Sequence, residues 1–366
     1  MTDPVDDPTR WLLRPALPRD LPALEALAHA SALGISSLPA DRDALRQLLA
    51  LSAKAFASDD AASGEEAYLF VLEDRARGGA LVGTSGIAAA AGFHDRFYSY
   101  RNEFIVQASA ELGARSRIHT LHLCHDLTGV TLLTGFHIDA SVAHTLAPQL
   151  LSRGRLLFIA QCADRFSDRI AAENPGLSND QGDCPFWDAV GRRFFDMDYP
   201  AAERLGGGRM HKGWIASLMP QSPIYVPLLP DSAQCALGQL QPVAELPFNI
   251  LMDEGLDGDT YLNLFDGGPT ADGRVALLKT VTRRRALRAA PGATALPGPR
   301  WQLVDNGQQA GFRAMLLPRP AGHAEQLVVP ADAAQALGWQ PGEALWGATL
   351  DTPQALHADA NGSPPA

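Results

Sequence analysis

Several side chains in this 366-residue sequence have the type and spacing to do chemistry, and carboxylates lead. Asp126 follows an apolar run that reads as a strand, and Asp266 opens the turn Asp266-Gly267-Gly268-Pro269 after another. A carboxylate at a strand end can pair with the guanidinium or ammonium group of a small cationic ligand. It can equally cap its own turn. His119, His122 and His125 recur every third residue, but in a strand that spacing alternates faces, which argues against a metal site. Cys184 before Pro185, at a helix start, would be a nucleophile only with a base beside it, and none is visible. His211, beside Lys212 after the Gly206-Gly207-Gly208 loop, reads as a solvated loop residue or a proton carrier.

Composition narrows the function classes. Hydrophobic residues make up 46% and charged residues 19% of the chain, without an apolar run long enough to span a bilayer, so a globular protein with no membrane segment is expected. A net charge of -11 argues against nucleic acid, since phosphate contacts need a basic face. The one basic cluster, Arg283-Arg284-Arg285 with Arg288, reads as a solvated linker edge. The four cysteines form no CxxC pair, so neither a zinc cage nor a disulfide framework is signalled. The first ten residues are acidic and lack the features of a secretory leader, which sets the expectation of a cytoplasmic address.

The elements that must position these groups follow from periodicity and punctuation. A strand near Trp11 leads through Pro18-Arg19-Asp20 to a helix, and Asp41 with Asp43 starts another. Strands are expected at 67–73, 81–89, 118–124 and 130–138, then a helical stretch at 142–164 and a strand at 168–173. Pro185 suits a helix first turn, 213–219 reads as a strand, 243–254 as a helix and 260–265 as a strand. Residues 287–299 read as a linker, ahead of a β-rich unit with a short helix near 331–337.

A substantial part of the chain, residues 12–285, resembles the bacterial arginine/ornithine N-succinyltransferases. The matching phrases include Gly34-Ile35-Ser36-Ser37-Leu38-Pro39, Phe97-Tyr98-Ser99-Tyr100-Arg101, Pro185-Phe186-Trp187, Leu218-Met219-Pro220, Pro223-Ile224-Tyr225 and Phe265-Asp266-Gly267-Gly268-Pro269-Thr270. The runs Cys124-His125-Asp126-Leu127-Thr128-Gly129 and Ser152-Arg153-Gly154-Arg155-Leu156-Leu157-Phe158 look most like the alpha subunit of the two-subunit form.

The resemblance implies an α+β, acyl-CoA N-acyltransferase (GNAT-like) fold with a mixed central sheet. On it, a core over 9–220, a completing extension over 221–290, a small β domain over 300–350 and a flexible tail over 351–366 are expected. It further implies succinyl transfer from succinyl-CoA, as cosubstrate without a bound cofactor or metal, to the α-amine of arginine or ornithine, with a homologous beta-type subunit as partner. It puts Phe136, Ser152 and Arg153 at the CoA site, and Ser36, Ser37, Asp126 and Asp266 at the acceptor. The family's catalytic histidine follows Gly-Gln-Val; here Gly238-Gln239-Leu240 is followed by Gln241, which cannot shuttle a proton, leaving Tyr225 as another proton carrier. The glycine-rich cradle that such a fold uses for the CoA diphosphate is also altered, with Ala143, Leu146 and Pro148 at its arginine and glycine positions, so bulk is expected to hinder phosphate there. A catalytically silent partner subunit, and a small-molecule-binding protein on the same fold, are the alternative readings.

Overall fold

The computed structural model describes residues 7–30, 38–39, 41–111, 113–179, 181–205, 213–293, 300–319 and 326–351. Ser36, Ser37, His211, Lys212 and the tail from residue 352 lie outside them.

β1 (Trp11–Pro15) leads to α1 (Leu21–Ala30) and α2 (Arg42–Ala57), whose N-cap Asp41 accepts the Ala44 amide at 2.8 Å. Five strands follow: β2 (Ala67–Asp74), β3 (Ala80–Ala88), β4 (Ser99–Ser109), β5 (Ala114–Cys124) and β6 (Thr131–Ile138). Then come α3 (Ala147–Gln161), β7 (Arg169–Glu173), and the short helices α4 (Pro185–Ala189), α5 (Gly191–Phe195), α6 (Tyr199–Leu205) and α7 (Gly213–Leu218). β8 (Ile224–Tyr225), α8 (Asp231–Ala236), α9 (Pro242–Glu254), β9 (Asp257–Leu262), β10 (Pro269–Arg274) and α10 (Lys279–Arg283) complete the middle of the chain. The last stretch holds β11 (Arg285–Pro291), β12 (Trp301–Asp305), β13 (Ala314–Pro318), β14 (Gln326–Val329), α11 (Ala331–Leu337) and β15 (Leu345–Leu350).

Among the described residues these strands join in one mixed sheet, ordered β14-β11-β15-β12-β13-β1-β2-β3-β6-β7-β10-β9-β4-β5-β8. The chain is therefore α+β. β2 shows why the centre is buried on both faces. Leu69 and Val71 pack against α1 and α2, while Tyr68, Phe70 and Leu72 join the cluster built around α3. A strand covered on both sides reads as a continuous apolar run.

α3 crosses the sheet closely because of Gly154: a Cβ there would sit 2.0 Å from Leu13 Cδ2 on β1. Deeper in, Phe158 meets Phe56, Tyr68, Phe70 and Phe312, with ring centroids 5.0–5.4 Å apart. Phe312 precedes β13, and β13 pairs with β1, so the C-terminal strands share this core.

Three expectations fail. Residues 213–218 form α7, not a strand; Ser217 Oγ donates to Trp214 O at 2.7 Å, a one-turn helical contact, and periodicity cannot separate a short apolar strand from a helix. The stretch read as linker begins with β11, which pairs with β14 and β15. Arg284 is not a solvated edge: it forks onto Asp305 at 2.8 and 2.9 Å and lies over Trp346, partners contributed by remote strands. β4 was not anticipated at all, because much of it is exposed and polar.

Truncating Phe158 removes a ring with close partners on several elements. We expect Phe158→Ala to cost about 3–5 kcal/mol, read as a shifted midpoint in urea with an unchanged slope. An unshifted midpoint would contradict the packing described.

Candidate functional site

β6 pairs with β3 from Ala88↔Leu132 to Gly83↔Ile138, but with β7 only at Thr131↔Ile170 and Leu132↔Ala171. Beyond Leu132 the two parallel strands part. The cause is local: Gly135 adopts φ +58° and the register against β3 shifts between Thr84 and Gly86, a bulge that turns β6 away from β7. The divergence frees backbone groups on β6 that β7 would otherwise hold.

On the β6 arm, Phe136 is half-buried and packs toward α3, where Arg155 lies over its ring at 5.6 Å. Ser152 is fully buried and its hydroxyl accepts from Arg155 at 3.1 Å. Arg153 turns elsewhere, toward α9. It donates to Asp253 at 2.5 Å and to Gln149 at 2.9 Å and is paired with buried Glu254, so its charge is already matched.

The β6–α3 turn differs from the sequence expectation in one respect. Leu146 and Pro148 are buried, so their bulk points into the protein and not across the approach to the helix, and Ala143 is half-buried. What the first turn of α3 lacks is amides. Pro148 has none, the Ala147 N–H is donated to Thr145 Oγ1 at 3.1 Å and the Leu150 N–H to Leu146 O at 3.2 Å, leaving that of Gln149.

On the β7 arm the chain continues past Glu173 into Asn174–Ser178, and this segment gathers the other site residues. Gly176 bridges to Leu240, and a Cβ at Gly176 would lie 2.6 Å from Asp266 O, so only glycine permits the approach. Gln241, the N-cap of α9, donates its backbone N–H to Pro175 O at 2.9 Å, and its Nε2 donates to Ser178 O and Ser178 Oγ at 2.5 and 3.0 Å. Those bonds fix the side chain and leave Oε1 as acceptor. Asp266 is buried, accepts the Gly268 amide at 2.9 Å and receives the Tyr199 hydroxyl at 3.5 Å.

Beside Asp266, two buried polar atoms on the adjoining strands, and a third on β9's C-terminal extension, have no hydrogen-bond partner among the described residues: Ser99 Oγ, Asn263 Nδ2 and Thr270 Oγ1. Tyr100 pairs with Leu262 and Pro269 with Leu262, so Ser99 and Asn263 flank one end of that pairing while Thr270 lies across from Tyr261. A buried donor left unmatched costs about 1–3 kcal/mol, which a bound polar ligand or water would recover.

Asp126 and Tyr225 stand apart from these. Arg101 forks onto Asp126 at 2.6 and 2.9 Å, and Tyr261 donates to the same carboxylate at 3.4 Å. Tyr225 pairs with Thr120 on β5 and is 37% exposed. The three histidines diverge: His119 bonds Asn102, His122 meets Thr120 and Glu103, and His125 meets Arg96. No metal-binding cluster occurs among the described residues. Burial pushes the Cys184 thiol far up, so it stays protonated, and no helix described is long and apolar enough to cross a membrane.

Two groups escaped the sequence reading. Arg155 stood out in the sequence only within the Ser152-Arg153-Gly154-Arg155-Leu156-Leu157-Phe158 run, with nothing to tell which of its two arginines the fold would surround with neutral acceptors. Ser99 and Thr270 carried no spacing signal, although both lie within phrases that carry the family resemblance.

Against known proteins, residues 11–280 match the family model described as "Arginine N-succinyltransferase beta subunit". The "Arginine N-succinyltransferase subunit alpha" of Pseudomonas aeruginosa is 45% identical over 327 residues, covering 89% of this chain and 96% of that protein. The subunit beta of the same organism is 36% identical over 322 residues, 87% and 92% of the two chains. The "Arginine N-succinyltransferase" of Citrobacter koseri is 34% identical, with 91% and 95% covered. A solved structure, "arginine/ornithine succinyltransferase subunit AI from Pseudomonas aeruginosa", superimposes with a TM-score of 0.84 at 42% identity, covering 94% of this chain and all of that one. The α+β sheet with its parted strands thus falls in a class of transferases. Within that class, the chain belongs to the arginine N-succinyltransferase family.

Arg153 generates a prediction. Replacing it leaves Glu254 buried without its cation, so Arg153→Met is expected to destabilise the fold by about 3–5 kcal/mol in urea unfolding. Lost CoA affinity at full stability would instead mean that Arg153 serves the ligand directly.

Proposed function

We propose that the chain is an alpha-type subunit of an arginine/ornithine N-succinyltransferase, moving succinyl from succinyl-CoA to the α-amine of arginine or ornithine in arginine catabolism. Its fold is the acyl-CoA N-acyltransferase (GNAT-like) arrangement. The observation that carries this is the parting of β6 from β7 over α3, in a chain 45% identical along 89% of its length to a named succinyltransferase subunit. The thioester arm lies along the freed edge of β6 beside Phe136, where strand amides can bond an extended amide-containing chain. The acceptor enters from the β7 arm. Buried Asp266 faces its cationic part, and the unmatched Ser99, Asn263 and Thr270 groups supply donors for its carboxylate.

Amide formation needs a neutral amine, a carbonyl carbon to attack and an exit for a proton as the thiolate leaves. Gln241, held by Ser178, offers Oε1 to an amine N–H and so orients the nucleophile. It does not take the proton, because an amide is not basic near neutral pH.

That substitution favours a second reading, in which the chain is a weakly active or silent subunit beside a beta-type homologue that carries the proton acceptor. Thiol release from succinyl-CoA, with arginine or ornithine, separates the readings. We expect slow release by the chain alone, faster release with the beta-type subunit, and a gain of about a hundredfold for the chain alone on Gln241→His, the lower end of general-base contributions. No release from either preparation would sink the assignment.

A further inference from the structure

Arg155 is 2% exposed, yet no carboxylate pairs with it among the described residues. Its Nε donates to Ser152 O at 3.2 Å, its Nη2 to Ser152 Oγ at 3.1 Å and its Nη1 to Thr134 O at 3.5 Å, all neutral acceptors. These contacts leave an N–H on each terminal nitrogen, the pair that a carboxylate engages with both oxygens. Burial alone draws its pKa down to about 9, still charged at neutral pH. Arg153, on the same helix, shows the ordinary arrangement with two carboxylates against it. A buried cation is normally paired, and the missing anion is therefore the observation to explain.

Position narrows what that anion is. Thr134 lies two residues past the last β6–β7 pair, and both Thr134 and Phe136 are only half-buried, so the strand edge beside Arg155 is accessible to a ligand. Arg155 is eight residues further along α3 than Ala147, about 12 Å by helical rise, which is too far in for a diphosphate held at the helix start. The group that reaches the parting of the strands is the acyl chain.

We propose that Arg155 determines donor specificity by binding the terminal carboxylate of the succinyl group, selecting an acid-bearing acyl thioester over a neutral one. This rests on the succinyltransferase reading above. The carboxylate gives the guanidinium its counter-ion, and the half-buried Phe136 ring packs against the methylene carbons. A neutral acyl group would leave the buried cation unmatched.

The test compares kcat/KM for succinyl-CoA, its monomethyl ester and acetyl-CoA, with arginine as acceptor, for the chain together with the beta-type subunit. The unaltered protein is expected to prefer the acid over both neutral donors by at least about 30-fold, as a site built around a polar partner does. Arg155→Met should shrink that preference to within about threefold by losing succinyl-CoA turnover alone, with inhibition by free CoA unchanged. A merely structural role would lower all donors alike and overturn the proposal. So would weaker inhibition by free CoA in step with the succinyl loss, which would assign Arg155 to the phosphates. Equal use of acid and ester by the unaltered protein overturns it too, and decides the matter even if Arg155→Met does not fold. Thiol release from no donor at all would defeat the succinyltransferase reading itself, and this inference with it.

Discussion

The site depends on one geometric constraint: two parallel strands that start together cannot stay together past a glycine bulge. Gly135 in the left-handed region bends β6, and β7 keeps its own course toward Asn174. The freed strand edge is stable because β6 stays paired with β3 on both sides of the bulge and is backed by α3. Parting the strands thus costs a few ladder bonds locally while the core beneath stays closed. Gly154 keeps α3 in place by letting it lie against Leu13, and the aromatic cluster around Phe158 fixes its far end.

Charge is distributed on this frame with a clear asymmetry. Arg14, Arg153 and Arg284 are each bonded to carboxylates, and these pairs tie elements to one another. For Arg14 and Asp20, burial by itself would weaken both ionised forms; Asp20 and Glu73 together outweigh it at Arg14, and Arg14 with the Leu17 amide and the Arg19 charge outweighs it at Asp20, so the carboxyl ends below its ordinary value and the guanidinium above. Arg155 follows the opposite pattern, with only neutral oxygens among its hydrogen-bond acceptors. Cations that serve the fold bring their anions with them; one without an anion is waiting for a ligand or paying for nothing.

Much of the framework was legible in the sequence because it is locally encoded. Asp41 announced α2, Pro185 the helix it begins, and the apolar runs at 67–73 and 130–138 the buried strands. The exposed ribbon strand β4 was not legible, since nothing in Ser99–Ser109 alternates cleanly and its partner β5 supplies the register. α7 was misread because a short apolar stretch fits either element. Among the candidate site residues, Gln241 and Phe136 were named by likeness to a family alone, Asp266 also by its place in a turn at a strand end. The burial of Arg155 among neutral acceptors and the unmatched hydroxyls of Ser99 and Thr270 were missed, because burial and the match of polar groups are properties of three-dimensional packing that no single-sequence period reports.

The two substituted features, the glutamine at the histidine position and the amide-poor first turn of α3, differ in what they remove. Gln241 keeps its bonds to Ser178 and so keeps its orientation; only the ability to accept a proton is gone. In α3 the bulky residues turn inward, so the first turn stays accessible, and with few free amides it would hold an anion only weakly. Under the proposed function, a subunit altered in this way keeps the groups at the strand ends that would recognise the acyl chain and the acceptor, and asks of a beta-type homologue the proton acceptor and part of the phosphate grip.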